Sequence, residues 1–266
     1  MSGQLEVVAA GLSDTGLVRS NNEDRVFVID RREANSFGAD SYGVYLVADG
    51  LGGHQGGEVA SEMAMRTISA LLLSGLTRLS AADSPSHLLE GAIQNAHHKI
   101  LELAASRPEL QGMGTTVTVG LRLDLNLYVG HVGDSRAYLA RDRRLIQLTE
   151  DHSVVALLLR QGTITPQEAI SHPDRGKILR CLGVTENVTV DTALSGIDAL
   201  QGKLVLRRDD ALVFCSDGLH GYISDAAILD CLSRWADPPE ACRRLVDLAN
   251  SAGGADNTSV IVVRVT

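Results

Sequence analysis

Short apolar stretches bounded by turn residues recur along the chain and predict β-strands. Many of them are rich in Val and Ile, and several alternate apolar with polar residues. The predicted strands cover residues 5–10, 25–30, 44–48, 115–121, 126–132, 137–140, 145–148, 188–193, 203–206, 211–215 and 258–265.

Apolar residues spaced three and four apart predict helices between these strands. Val59, Met63, Ile68 and Leu72 follow this spacing over residues 58–73. A second helix should begin after Ser84 as N-cap, with proline in its first turn, and run to about residue 105. Further helices are predicted over 153–161, from 165–166 onward, over 224–235 and over 238–251.

The order of the predicted elements indicates the fold class. Strands come in runs and helices come in runs, without the regular alternation that a parallel doubly wound sheet requires. We therefore expect an α+β fold with antiparallel sheets in the middle and helices outside. No Pro/Gly/Ser-rich linker and no internal repeat interrupts residues 1–266, so one domain is expected.

Composition and charge narrow the function. The chain has 24 basic and 33 acidic residues, a net charge of −9, and only 3% aromatic residues. A nucleic-acid partner or an anionic membrane surface is therefore not expected. The absence of a signal-like N-terminus and of a long apolar run favours the cytoplasm, where the four cysteines would be buried and reduced.

Acidic residues stand where predicted strands end or begin. Asp49, Asp134 and Asp217 each follow an apolar strand, Asp256 precedes the last strand, and Glu23-Asp24 precedes the second. Any one of these aspartates could be an ordinary turn residue. As a set they predict convergent carboxylates, which repel one another unless a cation lies between them. Oxygen ligands without a His or Cys cluster suit Mg²⁺ or Mn²⁺.

Eight motifs in fixed order make the chain resemble the metal-dependent, type 2C Ser/Thr protein phosphatases in their compact bacterial form. They span residues 19 to 259, so the resemblance covers nearly the whole chain. The motifs are Arg19-Ser20-Asn21-Asn22-Glu23-Asp24, Val47-Ala48-Asp49-Gly50-Leu51-Gly52-Gly53-His54, Gly112-Met113-Gly114-Thr115-Thr116, Gly130-His131-Val132-Gly133-Asp134-Ser135-Arg136, Leu148-Thr149-Glu150-Asp151-His152-Ser153, Arg180-Cys181-Leu182-Gly183, Cys215-Ser216-Asp217-Gly218-Leu219 and Asp256-Asn257-Thr258-Ser259.

The resemblance implies a four-layer αββα sandwich, two antiparallel sheets flanked by helices, with two Mn²⁺ or Mg²⁺ ions at one end. Asp49 would bridge both ions, and Asp217 and Asp256 would hold the first. The carbonyl of Gly50 and the carboxylates of Glu23 and Asp24 would complete the site, with Asp24 the stronger candidate for a direct ligand. Asp134 is similar to a residue that holds a third ion in bacterial relatives, and Arg19 would grip the substrate phosphate.

The reaction implied by the resemblance is hydrolysis of phosphoserine and phosphothreonine in proteins. A hydroxide shared by the two ions would attack phosphorus in line, without a phosphoenzyme, so Asp49 and Asp217 are catalytic through the metal and Arg19 through the phosphate. Residues 153–178 are expected to form a flap over the site. A bacterial Ser/Thr kinase that makes the substrates is the expected partner, and the protein is expected to be a monomer.

Some alternatives stay open at this point. Leu51 stands where eukaryotic relatives often carry a histidine, so the proton for the leaving group could come from His54, from His152 or from water, although structural roles are favoured for both histidines. No Cys-x5-Arg, P-loop, dinucleotide-binding or Gly-x-Ser-x-Gly pattern supports another enzyme class. A pseudophosphatase that binds phosphoproteins without hydrolysing them is the non-enzymatic alternative.

Overall fold

A computed structural model describes residues 5–52, 56–78, 83–197 and 202–266. Its strands form two antiparallel sheets. One has five strands in the order β1-β11-β10-β7-β8, and the other has the order β2-β3-β5-β6-β9 with β4 paired to β3. The strands are β1 (Val7–Asp14), β2 (Asp24–Arg31), β3 (Tyr42–Leu51), β4 (Gly114–Thr115), β5 (Val117–Leu123), β6 (Asn126–Val132), β7 (Arg136–Arg141), β8 (Arg144–Gln147), β9 (Leu204–Val205), β10 (Ala211–Cys215) and β11 (Thr258–Val265).

The helices cover the outer faces of the two sheets. The long α1 (Gly56–Arg78) and α2 (Pro85–Ser106) pack on the six-stranded sheet, while α6 (Asp225–Arg234) and α7 (Pro238–Ser251) pack on the five-stranded one. Three shorter α-helices and one 3₁₀ turn complete the helices of the described residues: α3 (Val154–Arg160), α4 (Pro166–Ile170), α5 (Asp217–His220) and the turn Pro108–Leu110. The predicted four-layer αββα architecture is confirmed.

Strand β3 shows why its sequence is apolar throughout. Val44 and Leu46 face α1 and α2, while Tyr45 and Val47 belong to the core between the two sheets. A strand covered on both faces has no solvent side, so the polar half of the alternation disappears. Phe214 of β10 meets Tyr45 across the sheets, with ring centroids 5.8 Å apart. Asp49 lies near the end of this strand, which is buried on both faces.

Helix α1 is the one helix in the described residues that is long and apolar enough to span a membrane, with a mean hydropathy of 1.2 over an 18-residue window. Half of that window is buried inside the fold, where Ala60, Ala64, Ile68 and Leu72 pack against the sheet. These contacts are those of a core helix. The helix extends five residues beyond the predicted end at residue 73.

One predicted strand is wrong. Residues 188–193 form no strand, and only Asp191 pairs, through an isolated bridge to His131 at the edge of β6. The Val and Thr residues there satisfy the strand pattern, but Val190 alone is buried, at 8% exposure, while its neighbours are half-buried or exposed. Propensity therefore yields to tertiary context. The predicted strand 203–206 shrinks to the two residues of β9.

Residues 153–178, the expected flap, contain α3 and α4. The two ends of the segment are joined by a bridge between Ser153 and Ile178 and by a hydrogen bond from Val154 N to Lys177 O of 2.9 Å. Ser153 caps α3, and Thr165 begins α4 with a reciprocal capping box to Glu168. The segment thus leaves and rejoins the rest of the fold at one place beside β7.

Candidate metal centre

The antiparallel pairing of β2 and β3 brings two of the predicted carboxylates together. Asp24 lies directly opposite Asp49 in the register of these strands. On the other sheet, Asp217 follows the end of β10 and Asp256 precedes β11, while Asp134 lies in the turn between β6 and β7. All five positions belong to the same end of the sandwich.

A cavity of about 480 Å³ opens at this end. Seven of the eight predicted site residues line it: Arg19, Glu23, Asp49, Gly50, Asp134, Asp217 and Asp256. The eighth, Asp24, lies behind Asp49 with 2% of its surface exposed, and its carboxylate accepts a hydrogen bond of 2.7 Å from Ser216 Oγ. Glu23 is therefore the carboxylate of this pair that faces the cavity.

Threonines of the Gly-Thr-Thr motif hold Asp49 in place. Thr115 Oγ1 donates to the Asp49 carbonyl at 2.9 Å, and Asp49 N donates to Thr116 Oγ1 at 3.2 Å. The Thr116 hydroxyl also lies 2.8 Å from Ser135 Oγ, in the loop that carries Asp134. One pair of hydroxyl side chains thus links the strand of Asp49 to the loop of Asp134.

Close backbone approach explains the glycines beside Asp49. A Cβ atom on Gly50 would lie 2.2 Å from Gly57 O and 2.7 Å from Glu23 O. A Cβ on Gly57 would lie 2.4 Å from Glu23 Oε2. Any side chain at these positions would displace the Glu23 segment, so the glycines let three chain segments meet at the cavity.

Arg19 stands on the β1–β2 loop at the mouth of the cavity. Its Nη2 donates to Asp256 Oδ2 at 2.8 Å, and 55% of its side chain is exposed. This hydrogen bond raises the pKa of the guanidinium. The outward half of the planar fork faces solvent, so it can approach an incoming anion.

Asn257 fixes the loop of Arg19, although the sequence analysis assigned it no role. Its Nδ2 donates to Thr15 O and Asn21 O, each at 2.9 Å, and its Oδ1 accepts from Glu23 N at 2.8 Å. The residue stood inside a recognised motif, beside Asp256. A polar side chain next to a candidate ligand was therefore the available signal.

Asp134 is a buried carboxylate beside the other predicted ligands. It is 6% exposed, and its Oδ1 has no hydrogen-bond partner among the described residues. Burial, followed by the charges of Asp217 and Asp151, raises the pKa of Asp134 to about 8. A buried carboxylate oxygen without a donor is costly unless a cation approaches it.

The other carboxylates show the same electrostatic conflict. Burial raises the pKa of Asp49 well above its usual range, and the charges of Asp24, Asp217, Asp134 and Asp256 raise it further. Burial likewise raises the pKa of Asp24 to about 7, against the two serine hydroxyls that stabilise its charge. The pKa of Asp217 is raised by burial and by Asp256.

The chemistry of this donor set fits hard divalent cations. Every candidate side chain contributes carboxylate oxygen, and Mg²⁺ and Mn²⁺ prefer such ligands. In the parts of the chain that the structure describes, however, no three His, Cys, Asp or Glu side chains are close enough to hold one ion as they stand. Asp24 and Asp256 instead have protein partners, Ser216 and Arg19. The site is thus a converging set of donors rather than a closed cage.

The histidines near the site are held as structural elements. His152 accepts from Gly133 N through Nδ1 at 3.0 Å, and its Nε2 lies 3.0 Å from Asp191 Oδ2. His220 Nε2 lies 3.0 Å from the Asp134 carbonyl, and burial lowers the pKa of His220 to about 3. Each therefore supports the loop of Asp134 from behind. His54 lies outside the described residues.

A second and larger cavity, of about 580 Å³, lies beneath residues 153–178. Asp134 and Asp217 line both cavities, so the two adjoin. The wall of the second cavity contains the ion pair between Arg136 and Asp151, with Arg136 Nε–Oδ1 at 2.8 Å and Nη2–Oδ2 at 2.7 Å. This bidentate pair was not predicted, although both residues stood inside recognised motifs.

The cysteines take no part in the carboxylate cavity. Cys215, Cys231 and Cys242 are buried in the core, and Cys181 is half-buried. Burial raises the pKa of the Cys181 thiol to about 11 and that of Cys215 to about 12. Thiols with such values are weak nucleophiles at neutral pH.

Comparison with known proteins gives the same family as the motifs. The family model described as protein phosphatase 2C matches residues 9–157. The chain is 36% identical over 251 residues to the serine/threonine phosphatase stp of Listeria welshimeri, covering 94% of this chain and 93% of that protein. It is 38% identical over 259 residues to the serine/threonine protein phosphatase PstP of Mycobacterium tuberculosis, covering 96% of this chain and 44% of that longer protein.

A solved structure has the same fold as this chain over nearly all of its length. It is the catalytic domain of PstP in complex with two manganese ions, which superposes with a TM-score of 0.78 at 34% identity and covers 98% of this chain and 99% of that one. The family model and the relatives match the sequence of the chain, and the solved structure matches its fold. The chain belongs to the protein phosphatase 2C family, the metal-dependent serine/threonine protein phosphatases.

Proposed function

We propose that this chain hydrolyses phosphoserine and phosphothreonine in proteins, with Mn²⁺ or Mg²⁺ bound in the carboxylate cavity. One observation carries the proposal: buried and half-buried aspartates from both sheets converge on a single cavity, with an arginine at its mouth. Such a cluster of like charges destabilises a fold unless a cation binds between the carboxylates.

The proposed ligands follow from the position of each residue. Asp49 is central, because the charges of all four other aspartates act on it, and it is proposed to contact two ions. Asp217 and Asp256 would hold the first ion. The Gly50 carbonyl, with Glu23 and Asp24, would hold the second, Glu23 from the cavity wall and Asp24 from behind Asp49. Asp134, with its unpaired oxygen, is proposed to hold a third ion.

The chain's own groups would position the substrate. Bound divalent ions supply a Lewis acid that makes water available as hydroxide for in-line attack on phosphorus. Arg19 presents its exposed edge to the phosphate and can exchange its bond with Asp256 for a bidentate contact to phosphate oxygens. His152 and His220 are held by other groups, so we expect the departing serine or threonine oxygen to take its proton from solvent.

Residues 153–178 are proposed to act on substrate selection rather than on bond cleavage. The segment covers the 580 Å³ cavity that adjoins the carboxylates, and Arg175 ties it to Gly221 O at 2.9 Å. Replacing the segment by that of a relative should change the preference among phosphoproteins while p-nitrophenyl phosphate turnover changes less. Equal effects on both substrates would remove this role.

The biological setting is part of the same proposal. Bacterial relatives are named serine/threonine phosphatases, which supports phosphorylated proteins as substrates and a Ser/Thr kinase as the opposing enzyme. We propose a monomer that acts in the cytoplasm.

Hydrolysis of p-nitrophenyl phosphate and of a phosphothreonine peptide, across a Mn²⁺ titration with an EDTA control, tests the proposal. Activity that rises with Mn²⁺ and disappears with EDTA is expected. Arg19→Ala should raise the KM for both substrates, whereas Arg32→Ala, an exposed arginine paired with Glu6 away from the cavity, is the matched control. A folded protein with no activity at any Mn²⁺ or Mg²⁺ concentration would instead indicate a pseudophosphatase.

A further inference from the structure

Two large aliphatic side chains stand exposed directly before Arg19. Leu17 is 69% exposed and Val18 is 70% exposed, the highest values among the large apolar residues that the structure describes. Val18 lines the carboxylate cavity together with Arg19. Single exposed apolar residues are common on proteins, but an adjacent pair at the mouth of a binding cavity is a candidate contact surface.

The backbone beneath this pair is held rigidly. Leu17 N and Val18 N both donate to Gly254 O, at 2.7 and 3.2 Å, and Gly16 N donates to Asp14 Oδ1 at 2.8 Å. Gly16 has a φ of +78°, and a Cβ there would lie 2.3 Å from Asp256 O. The loop therefore presents its apolar side chains from a fixed backbone, which lowers the entropic cost of a contact.

Apolar residues also stand elsewhere on the cavity rim. Leu51 follows the Asp49-Gly50 pair, and Ile178 closes the base of segment 153–178 by its bridge to Ser153. The cavity thus combines a carboxylate floor with an aliphatic rim.

This combination determines which neighbours of a phosphorylated residue can be accommodated. The phosphate is directed to the floor by Arg19, so the residue beside the phosphorylated one must pass over the rim. An aliphatic side chain there would cover Val18 and leave water. An acidic side chain would lose its hydration against the aliphatic rim without gaining a partner there.

We infer that the rim selects phosphorylated segments with an aliphatic residue next to the phosphoserine or phosphothreonine, and that Val18 is the side chain that contacts it. This inference rests on the proposed function and narrows its substrate class. Val18 would act on specificity and would take no part in the chemistry.

The test compares three phosphothreonine peptides in which the residues flanking the phosphothreonine are Val, Ser or Glu, at saturating Mn²⁺, by release of inorganic phosphate. For the wild-type chain, kcat/KM should be about tenfold higher with Val than with Ser, which corresponds to about 1.4 kcal/mol. The Glu peptide should be the poorest substrate. Moving the Val to one side at a time identifies which side of the phosphothreonine meets the rim.

Val18→Ser should bring the Val-to-Ser ratio to within about twofold of unity, and Val18→Ile should keep it. The ratio is taken within one variant, so any change in metal loading or phosphate binding cancels. Val205→Ser is the matched control, because Val205 is also exposed but lies on β9, outside the cavity. It should leave the ratio unchanged.

Two results would overturn the inference while leaving the proposed function in place: a wild-type ratio near unity, or an unchanged high ratio in Val18→Ser. A wild-type chain that hydrolyses none of the peptides would have a different meaning. In that case the protein phosphatase activity itself fails, and the inference fails with it.

Discussion

Strands β2 and β3 carry a charged cluster at each end, and the two clusters are built in opposite ways. At one end Asp24 and Asp49 belong to a group of buried and half-buried carboxylates without a matching number of cationic side chains. At the other end Asp30 of β2 meets Arg122 of β5, with Nη2–Oδ1 at 2.7 Å. The same pair of strands thus holds one uncompensated and one compensated site.

The Arg122 cluster satisfies its donors within the protein. Arg122 is 2% exposed and donates to Asp30, to Tyr45 Oη at 3.2 Å, to Ser41 Oγ at 2.8 Å and to the Asp124 carbonyl. Tyr45 Oη also donates to Asp30. A buried charge with this many partners fixes the local structure and leaves little for a ligand.

At the carboxylate end, by contrast, negative charge is left without partners in the protein. Asp134 Oδ1 lacks a partner in the described part of the chain, and Asp49 is surrounded by like charges. The comparison teaches that burial of charge alone does not identify a functional site. Both clusters line cavities, so it is the absence of a compensating partner that distinguishes the two ends.

The largest predicted effect is a loss of activity when the carboxylate end is altered. Asp49→Asn should lower kcat by at least about a thousandfold, because it removes the carboxylate proposed to contact both ions, and this corresponds to about 4 kcal/mol. The melting temperature without metal should stay the same or rise, since one repelling charge is removed. Metal-dependent turnover and thermal unfolding are the measurements. Near-normal activity would remove Asp49 from the metal centre.

Arg122→Met should produce the converse result. It leaves Asp30 without its cation and should lower the free energy of unfolding by about 3–5 kcal/mol, measured by urea denaturation. Activity per folded molecule should change less than twofold. The double variant with Asp30→Asn should recover part of the loss. A fall in activity without a fall in stability would contradict the structural role of this cluster.

Without metal, the repulsion among the carboxylates should lower the stability of the protein in a pH-dependent way. The pKa values of Asp24 and Asp134, about 7 and about 8, lie above those of an unfolded chain, so their contribution to stability is complete below about pH 4 and is lost as pH rises through those values. With EDTA, stability should therefore fall between pH 7 and pH 8.5, a range above the ordinary histidine pKa.

Mn²⁺ at about a hundred times its Kd should restore about 2.7 kcal/mol at the upper pH and less at the lower one, because protons compete for the same oxygens. Thermal unfolding with EDTA or Mn²⁺ at both pH values measures this difference. Asp134→Asn should flatten the EDTA profile. Equal stabilisation by Mn²⁺ at both pH values, with an unchanged profile in the variant, would contradict the assignment.

Asp134→Ala should give the smallest effect of the series. If Asp134 holds a third ion, activity at limiting Mn²⁺ should fall about tenfold, or about 1.4 kcal/mol, and more Mn²⁺ should be needed for half-maximal rate. Asp142→Ala, at a positive-φ turn on the β7–β8 hairpin, is a control carboxylate away from the cavity. An unchanged Mn²⁺ titration for Asp134→Ala would exclude the third site.

Most elements of the fold were predictable because their patterns are local. The periodicity of α1 and the apolar runs of β3 and β10 arise from burial on defined faces. Residues 188–193 misled the prediction, because a strand pattern needs a neighbouring strand and only Asp191 has one. The short helix α5 was missed, since four residues carry too little periodicity.

The candidate site divides in the same way. The order of the acidic motifs allowed the family to be identified. The same motifs predicted seven residues that line the cavity, together with Asp24. The supporting partners were not predictable. Asp210, for example, is buried and accepts a hydrogen bond from Arg141, with Nε–Oδ1 at 2.8 Å. Asn257 and Ser216 likewise gained roles only through contacts with distant segments.

The sequence by itself determined the fold class, the family and the set of oxygen donors, because those follow from local periodicity and from motifs of fixed order. Only the tertiary structure decided which carboxylates face the cavity, that Asp24 stands behind Asp49 while Glu23 lines the wall, and that Val18 reaches the rim. The physical reason is that burial, pairing and pKa depend on groups distant in sequence, such as Asp24 and Ser216, which 192 positions separate.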